Sequence, residues 1–126
     1  NTNDNLYGQA GDDVLIATIG DNILDGGTGA DIIYTGSGSD TIVLRAGDGG
    51  STLATADTAA DFTDGTDVLG LDDGLLYSQL TIAQGTGSNA NDTIISVTSS
   101  SEYLAILTGI TASNVTELDV TPVDIS

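Results

Sequence analysis

The chain has 126 residues, and nineteen acidic side chains against a single basic one, Arg45, leave a formal net charge of −18. Such an excess repels phosphate backbones and anionic lipid, which argues against nucleic acid and membrane surfaces as partners and in favour of cations. The chain has no Cys, His, Met or Trp, so disulfides, thiolate or imidazole metal sites and the commonest catalytic bases are excluded, and any metal must be held by oxygen.

Of the acids only Glu102 and Glu117 are Glu, and Asp favours turns where Glu favours helix. With 17 Gly and one Pro, Pro122, the composition is not helical, and its 39% of apolar residues argues against disorder. No apolar run approaches the roughly 18 residues of a membrane span, so membrane insertion is not expected. The opening stretch, NTNDNLYGQAG, has neither the basic nor the apolar region of a signal peptide. It also lacks an initiator Met, from which we expect that processing or truncation has removed something upstream.

Taken in chain order, the first feature is a repeat. Gly11, Gly20, Gly29, Gly38 and Gly47 recur at a spacing of nine. Two residues after the first four stand Asp13, Asn22, Asp31 and Asp40, and Asp4 extends the phase backward. Two residues further on lie Leu6, Leu15, Leu24, Ile33 and Ile42. The unit is G-G-x-G-x-D-x-U-x, with U a large aliphatic, best kept from Gly26 to Tyr34.

Each position has a physical task. Glycine allows φ > 0 and tight turns, so carbonyl oxygens converge with no Cβ between them. The Asp adds a carboxylate, completing an oxygen cage of the kind Ca²⁺ takes, with six to eight ligands at about 2.3–2.6 Å. The x-U-x triplet is a short strand with its central side chain inward. Two units complete a coil of eighteen residues, so Asp13 faces Asp31 while Asp4, Asn22 and Asp40 line the opposite side. Ions between stacked loops relieve the carboxylate repulsion that otherwise forbids stacking.

Residues 4–43 resemble the calcium-binding nonapeptides of RTX (repeats-in-toxin) proteins, most closely at 8–16 and 26–34. The resemblance implies an all-β fold: a right-handed parallel β-roll over residues 1–50, followed over 51–126 by a β-rich cap with a hairpin. It implies Ca²⁺ as the cofactor, held by loop carbonyls and the sixth-position Asp. Carried over by residue, one site uses Gly11, Asp13, Gly29 and Asp31, with Gly8, Gly26 and Gly27 at the turns. On the other side Gly38 and Asp40 match, Asp4 continues the phase, and Asn22 replaces Asp while Ala17-Thr18 replaces Gly-Gly, so a weaker site is expected there.

From Asp48 to Ala60 the period breaks, and the stretch from Gly49 to Ala56 reads as a loop. Asp57 to Leu71 resembles the segment that closes many RTX rolls, where the family places one more calcium; Asp57 and Asp61 are the candidates, and Phe62 is expected to plug the core. Beyond it, Leu80–Gln84 reads as a strand, 93–98 and 103–107 as a hairpin, and Asn114 as a helical cap with Glu117 three residues on. The stretch 75–123 is similar to the C-terminal region of cyanobacterial RTX-like proteins, which implies an uncleaved export signal and type I secretion.

The outward positions Val14, Ile16, Ile32 and Tyr34 fall on one sheet and suggest a self-association face. The expected function is a calcium-binding extracellular structural module that folds on Ca²⁺ after secretion. A subunit of a calcium-dependent fibre, surface layer or adhesin, and the export domain of a larger secreted enzyme, are the alternatives. Catalysis by this chain itself is not expected.

Overall fold

A computed structural model describes residues 3–124 and is all-β, with only short 3₁₀ turns besides strands among the described residues. Eleven strands follow in order: β1 (Asn5–Tyr7), β2 (Val14–Ile16), β3 (Ile23–Asp25), β4 (Ile32–Tyr34), β5 (Thr41–Leu44), β6 (Asp57–Ala59), β7 (Val68–Leu71), β8 (Leu80–Gln84), β9 (Thr93–Val97), β10 (Glu102–Leu107) and β11 (Val120–Pro122). The first five alternate between two sheets, because each glycine turn reverses the chain and the next turn returns it one coil further on.

The first sheet has the order β1-β3-β5-β7-β11 and is parallel throughout. The second has the order β2-β4-β6-β10-β9-β8, parallel as far as β10 and antiparallel beyond. Pairing of Leu6 with Leu24 and of Leu15 with Ile33 fixes the coil at eighteen residues. Inward aliphatics form two columns, Leu6-Leu24-Ile42-Leu69 and Leu15-Ile33-Ala59-Leu107, which meet in one core. Burying each Leu or Ile contributes about 1.5–3 kcal/mol.

Both sheets run on past residue 50. The loop from Gly49 to Ala56 contains a 3₁₀ turn at Leu53–Thr55 and leads into β6, which pairs parallel with β4. The insertion changes the step between stacked strands: Ile32 pairs with Thr58 and Thr41 with Val68. Phe62 is buried in the shared core. The hairpin of β9 and β10 lies where the sequence places it, with a bulge between Tyr103 and Ala105 that turns both Leu104 and Ala105 inward. The cap near residue 114 differs from expectation. The turn at Glu117–Asp119 is capped by Thr116, whose Oγ1 accepts from Leu118 N, while Asp119 Oδ2 accepts from Thr116 N at 2.9 Å. The Thr116-to-Asp119 spacing makes the reciprocal cap, and Asn114 ends the preceding turn instead.

Candidate metal centre

At the two ends of the short strands the sixth-position residues stack into ladders. On one side Asp31 Oδ1 accepts from Asp13 N at 2.8 Å, and Asp57 Oδ1 accepts from Asp31 N at 2.9 Å. On the other, Asn22 Oδ1 accepts from Asp4 N and Asp40 Oδ1 from Asn22 N, both at 2.8 Å, and Asp67 Oδ1 from Asp40 N at 2.9 Å. Each rung ties one coil to the next, and every acceptor but the neutral Asn22 amide is a carboxylate, which makes the stronger kind of hydrogen bond.

The second carboxylate oxygen of three rungs has no such partner. Oδ2 of Asp13, Asp31 and Asp40 is buried and accepts no hydrogen bond. Buried unpaired carboxylate oxygens are costly, and here they face further acceptors. A Cβ added at Gly8 would lie 2.7 Å from Gly26 O and 2.9 Å from Asp13 Oδ2, so a carbonyl and a carboxylate oxygen point to one place. A Cβ at Gly26 would collide with Asp31 Oδ2. Gly29 and Gly38, at φ +96° and +104°, have the carbonyls of Gly11 and Gly20 against the place a side chain would take. Gly20 O accepts from the Asn22 amide at 3.2 Å, but around Asp13 and Asp31 acceptors gather without a donor, which describes a site for a hard cation. Among the described residues no three acidic side chains gather at one point, so main-chain carbonyls must supply much of the cage.

Burial raises the carboxyls of Asp31 and Asp40 above the usual range against the lowering effect of their hydrogen bonds. Asp57 is pushed up to about 8, first by burial and then by the neighbouring charge of Asp31. Protons therefore compete for these oxygens unless a cation is supplied.

The family profile of the RTX calcium-binding nonapeptide repeat matches in four copies, over residues 1–31 and 16–50. The chain carries RTX calcium-binding repeats. The solution structure of the AlgE6R3 subunit of the Azotobacter vinelandii mannuronan C5-epimerase is similar in fold, with a TM-score of 0.57 at 21% identity over 95% of this chain and 78% of that one. No curated protein matches the sequence. The RTX repeats make this a calcium-binding module, and its orphaned carboxylate oxygens and glycine cradles fit Ca²⁺ in chemistry.

The structure does not treat the candidate residues of the RTX segment alike. Asp57 and Asp61, paired in the sequence reading, are set apart, Asp57 opening β6 and Asp61 lying in the turn that follows it. Asp57 tops the Asp13-Asp31 ladder. Asp61 instead accepts from Thr35 N (2.6 Å), Thr35 Oγ1 (2.9 Å) and Gly36 N (3.0 Å), which closes the loop of the other side.

Asp67 was not singled out by sequence, although it is the rung above Asp40. Gly65 and Asp67 keep the nine-residue phase, and that signal was available. Glu102 accepts from Gly47 N and Gly49 N at 2.8 Å and so binds the last glycine loop to the hairpin.

Arg45 stands one coil beyond Gly27, where the repeat has its second glycine. Its guanidinium forks onto Asp25 (2.7 and 3.0 Å) and reaches Asp48 and Asp72, each at 2.7 Å. Asp25 and Asp72 are both buried. These partners, Asp25 foremost, raise the Arg45 pKa further above its ordinary value, so the charge is permanent. The next joint of that edge is thus compensated by the chain's one cation. No Gly-Gly turn is present there, and Leu44 O accepts from Asp72 N at 2.9 Å.

Proposed function

We propose that this chain is an extracellular structural module that folds when its RTX loops take up Ca²⁺ after type I secretion, and that it is not itself an enzyme. The observation that carries the reading is the trio of buried, unpartnered oxygens on Asp13, Asp31 and Asp40, of which that of Asp13 meets Gly26 O at Gly8 and that of Asp31 lies against Gly26. Asp13, Asp31, Asp40 and the carbonyls of their loops would hold the ions, with Asp4 and Asp57 bordering them. When bound, the ion supplies charge compensation and joins successive coils.

With a dissociation constant near 10⁻⁴ M, common for extracellular calcium modules, a hundredfold excess of ion stabilises by about 2.7 kcal/mol per site. That is a large part of the roughly 5–15 kcal/mol stability of a domain. In a calcium-poor cytosol the same loops repel one another, which keeps the chain open for export. Circular dichroism with and without chelator tests this. Loss of a large part of the strand signal on chelation, regained when calcium is added, is expected, and a spectrum unchanged by EDTA would refute the reading.

A second reading, assembly into a fibre or surface layer, is supported by the apolar outer face of the second sheet. Val14, Ile16, Ile32 and Tyr34 are 57%, 59%, 41% and 41% exposed, and they stack in register as Val14 on Ile32 and Ile16 on Tyr34. The double substitution of Ile32 and Tyr34 to Ser is expected to abolish self-association in sedimentation measurements; assembly that persists removes this reading. The fold shared with a subunit of an epimerase supports the other alternative, a module appended to a larger secreted enzyme.

A further inference from the structure

The rungs of the two ladders share one plan except at Asn22. In Asp31 and Asp40 one side-chain oxygen accepts the backbone N–H of the preceding coil and the other is left without a donor. In Asn22, Oδ1 accepts from Asp4 N at 2.8 Å, so this atom must be the oxygen and the other the amide nitrogen. That nitrogen donates to Ile19 O and Gly20 O, each at 3.2 Å, and to Asp40 Oδ1 at 3.0 Å.

Ile19 and Gly20 are the third and fourth residues of their unit, and their carbonyls belong to the turn that precedes the rung. At Asn22 the chain provides the donor that this turn needs, and it does so at a residue only 1% exposed.

We infer that the joint at Asn22 is closed by its own amide and takes no calcium, making it a metal-independent rung inside the calcium ladder. The two N–H groups of this amide, shared among Ile19 O, Gly20 O and Asp40 Oδ1, occupy the oxygens a cation would use, and their positive ends repel one placed beside them. The neutral side chain also brings no charge to be compensated. Neighbouring Asp21 does not restore the site, since its Oδ1 accepts from Ser39 N at 2.7 Å on the exposed rim of the next coil. The roll thus keeps one coil-to-coil joint that can form before the ion arrives. This rests on the calcium-binding reading above.

The test is a calorimetric calcium titration of the whole chain and of Asn22→Asp, with nuclear magnetic resonance of the Asn22 side-chain amide in the unaltered protein. Asn22→Asp exchanges the donating nitrogen for a second oxygen, so the variant should take up one more calcium ion than the parent. It should also need more calcium to fold. In the parent, the Asn22 amide protons should stay protected, with shifts that barely move as calcium is added to the folded roll. Equal ion counts in parent and variant, or loss of Asn22 amide protection on calcium binding, would overturn the inference. A variant that fails to fold at any calcium level leaves the amide measurement to decide. A parent that takes up no calcium at all would overturn the calcium reading itself, an outcome separate from the other two.

Discussion

The repeat coils from β1 to β5 and the antiparallel strands β8 to β10 share one core but are held together differently. Each coil of eighteen residues offers two inward aliphatics, such as Leu24 and Ile33, and spends its remaining residues on polar turns. The antiparallel strands bury Ile95, Val97, Leu104, Ala105 and Leu107 within two strands, with Leu80 and Ile82 packed against them. A sheet of the second kind is stabilised by apolar area, whereas the first kind leaves carboxylate oxygens buried between its turns and depends on their charge compensation. On the proposed calcium-driven folding, the ion's effect would therefore fall on the repeat coils and spare β8 to β10.

The largest effect should come from removing calcium. Chelation is expected to strip hydrogen-exchange protection from β1 to β5 while β8 to β10 retain much of theirs. Equal loss in both regions would show that the two halves fold as one unit. Next in size is Arg45→Gln, which leaves Asp25 and Asp72 buried without their counter-charge. Breaking such a group costs about 3–5 kcal/mol, and added calcium should not restore it, because the guanidinium fits between three particular carboxylates. A denaturation midpoint rescued by calcium would show that the metal can take the place of Arg45.

Slightly smaller, and best suited to separating the halves, is the pair Ile33→Ala and Ile95→Ala, two fully buried side chains. Each should cost about 2–5 kcal/mol in saturating calcium. Only Ile33→Ala should also shift the calcium midpoint of folding, since its coil forms together with the sites of Asp13 and Asp31. A calcium midpoint moved equally by Ile95→Ala would dissolve the distinction.

What was legible in the sequence divides along the same line. The nine-residue phase alone places Leu24 above Leu6 and Asp31 above Asp13, because a repeat that alternates sheets leaves no other stacking. The hairpin of β9 and β10 is local, two apolar runs joined by Ser99, Ser100 and Ser101, so it is readable as well. Long-range consequences of the insertion after β5 are not readable. It uses up a repeat, so Asp67 stays in phase with Asp40 but lands on a side that simple alternation denies it. Asp57 and Asp61, four residues apart in a segment resembling a single site, are separated by β6 for the same reason. The contacts of Arg45 with Asp25 and Asp72 and of Glu102 with Gly47 depend on which coils meet after that step. Asn22 was visible as a departure from the motif. That its nitrogen replaces the ion's contacts needed the hydrogen bonds themselves.

The smallest effect per step concerns protons. Asp31, Asp40 and Asp57 are raised in the folded chain, Asp57 to about 8 from an ordinary value of 3.8. A group raised in the folded state binds protons more tightly there than in the unfolded chain. Its stabilisation is complete below the unfolded value and is lost as pH climbs through the folded one. Between about pH 4 and pH 8, then, each unit of acidification should favour the folded roll by up to about 1.4 kcal/mol from Asp57 alone. In buffer stripped of calcium, lowering the pH from 7 to 5 is expected to recover strand signal, with protons doing part of the work of the ion. In excess calcium the sign reverses, since bound Asp13, Asp31 and Asp40 must be ionised and acid competes with the metal. Strand signal that falls with acidification in both buffers would mean that repulsion between the carboxylates is not what keeps the calcium-free coils apart.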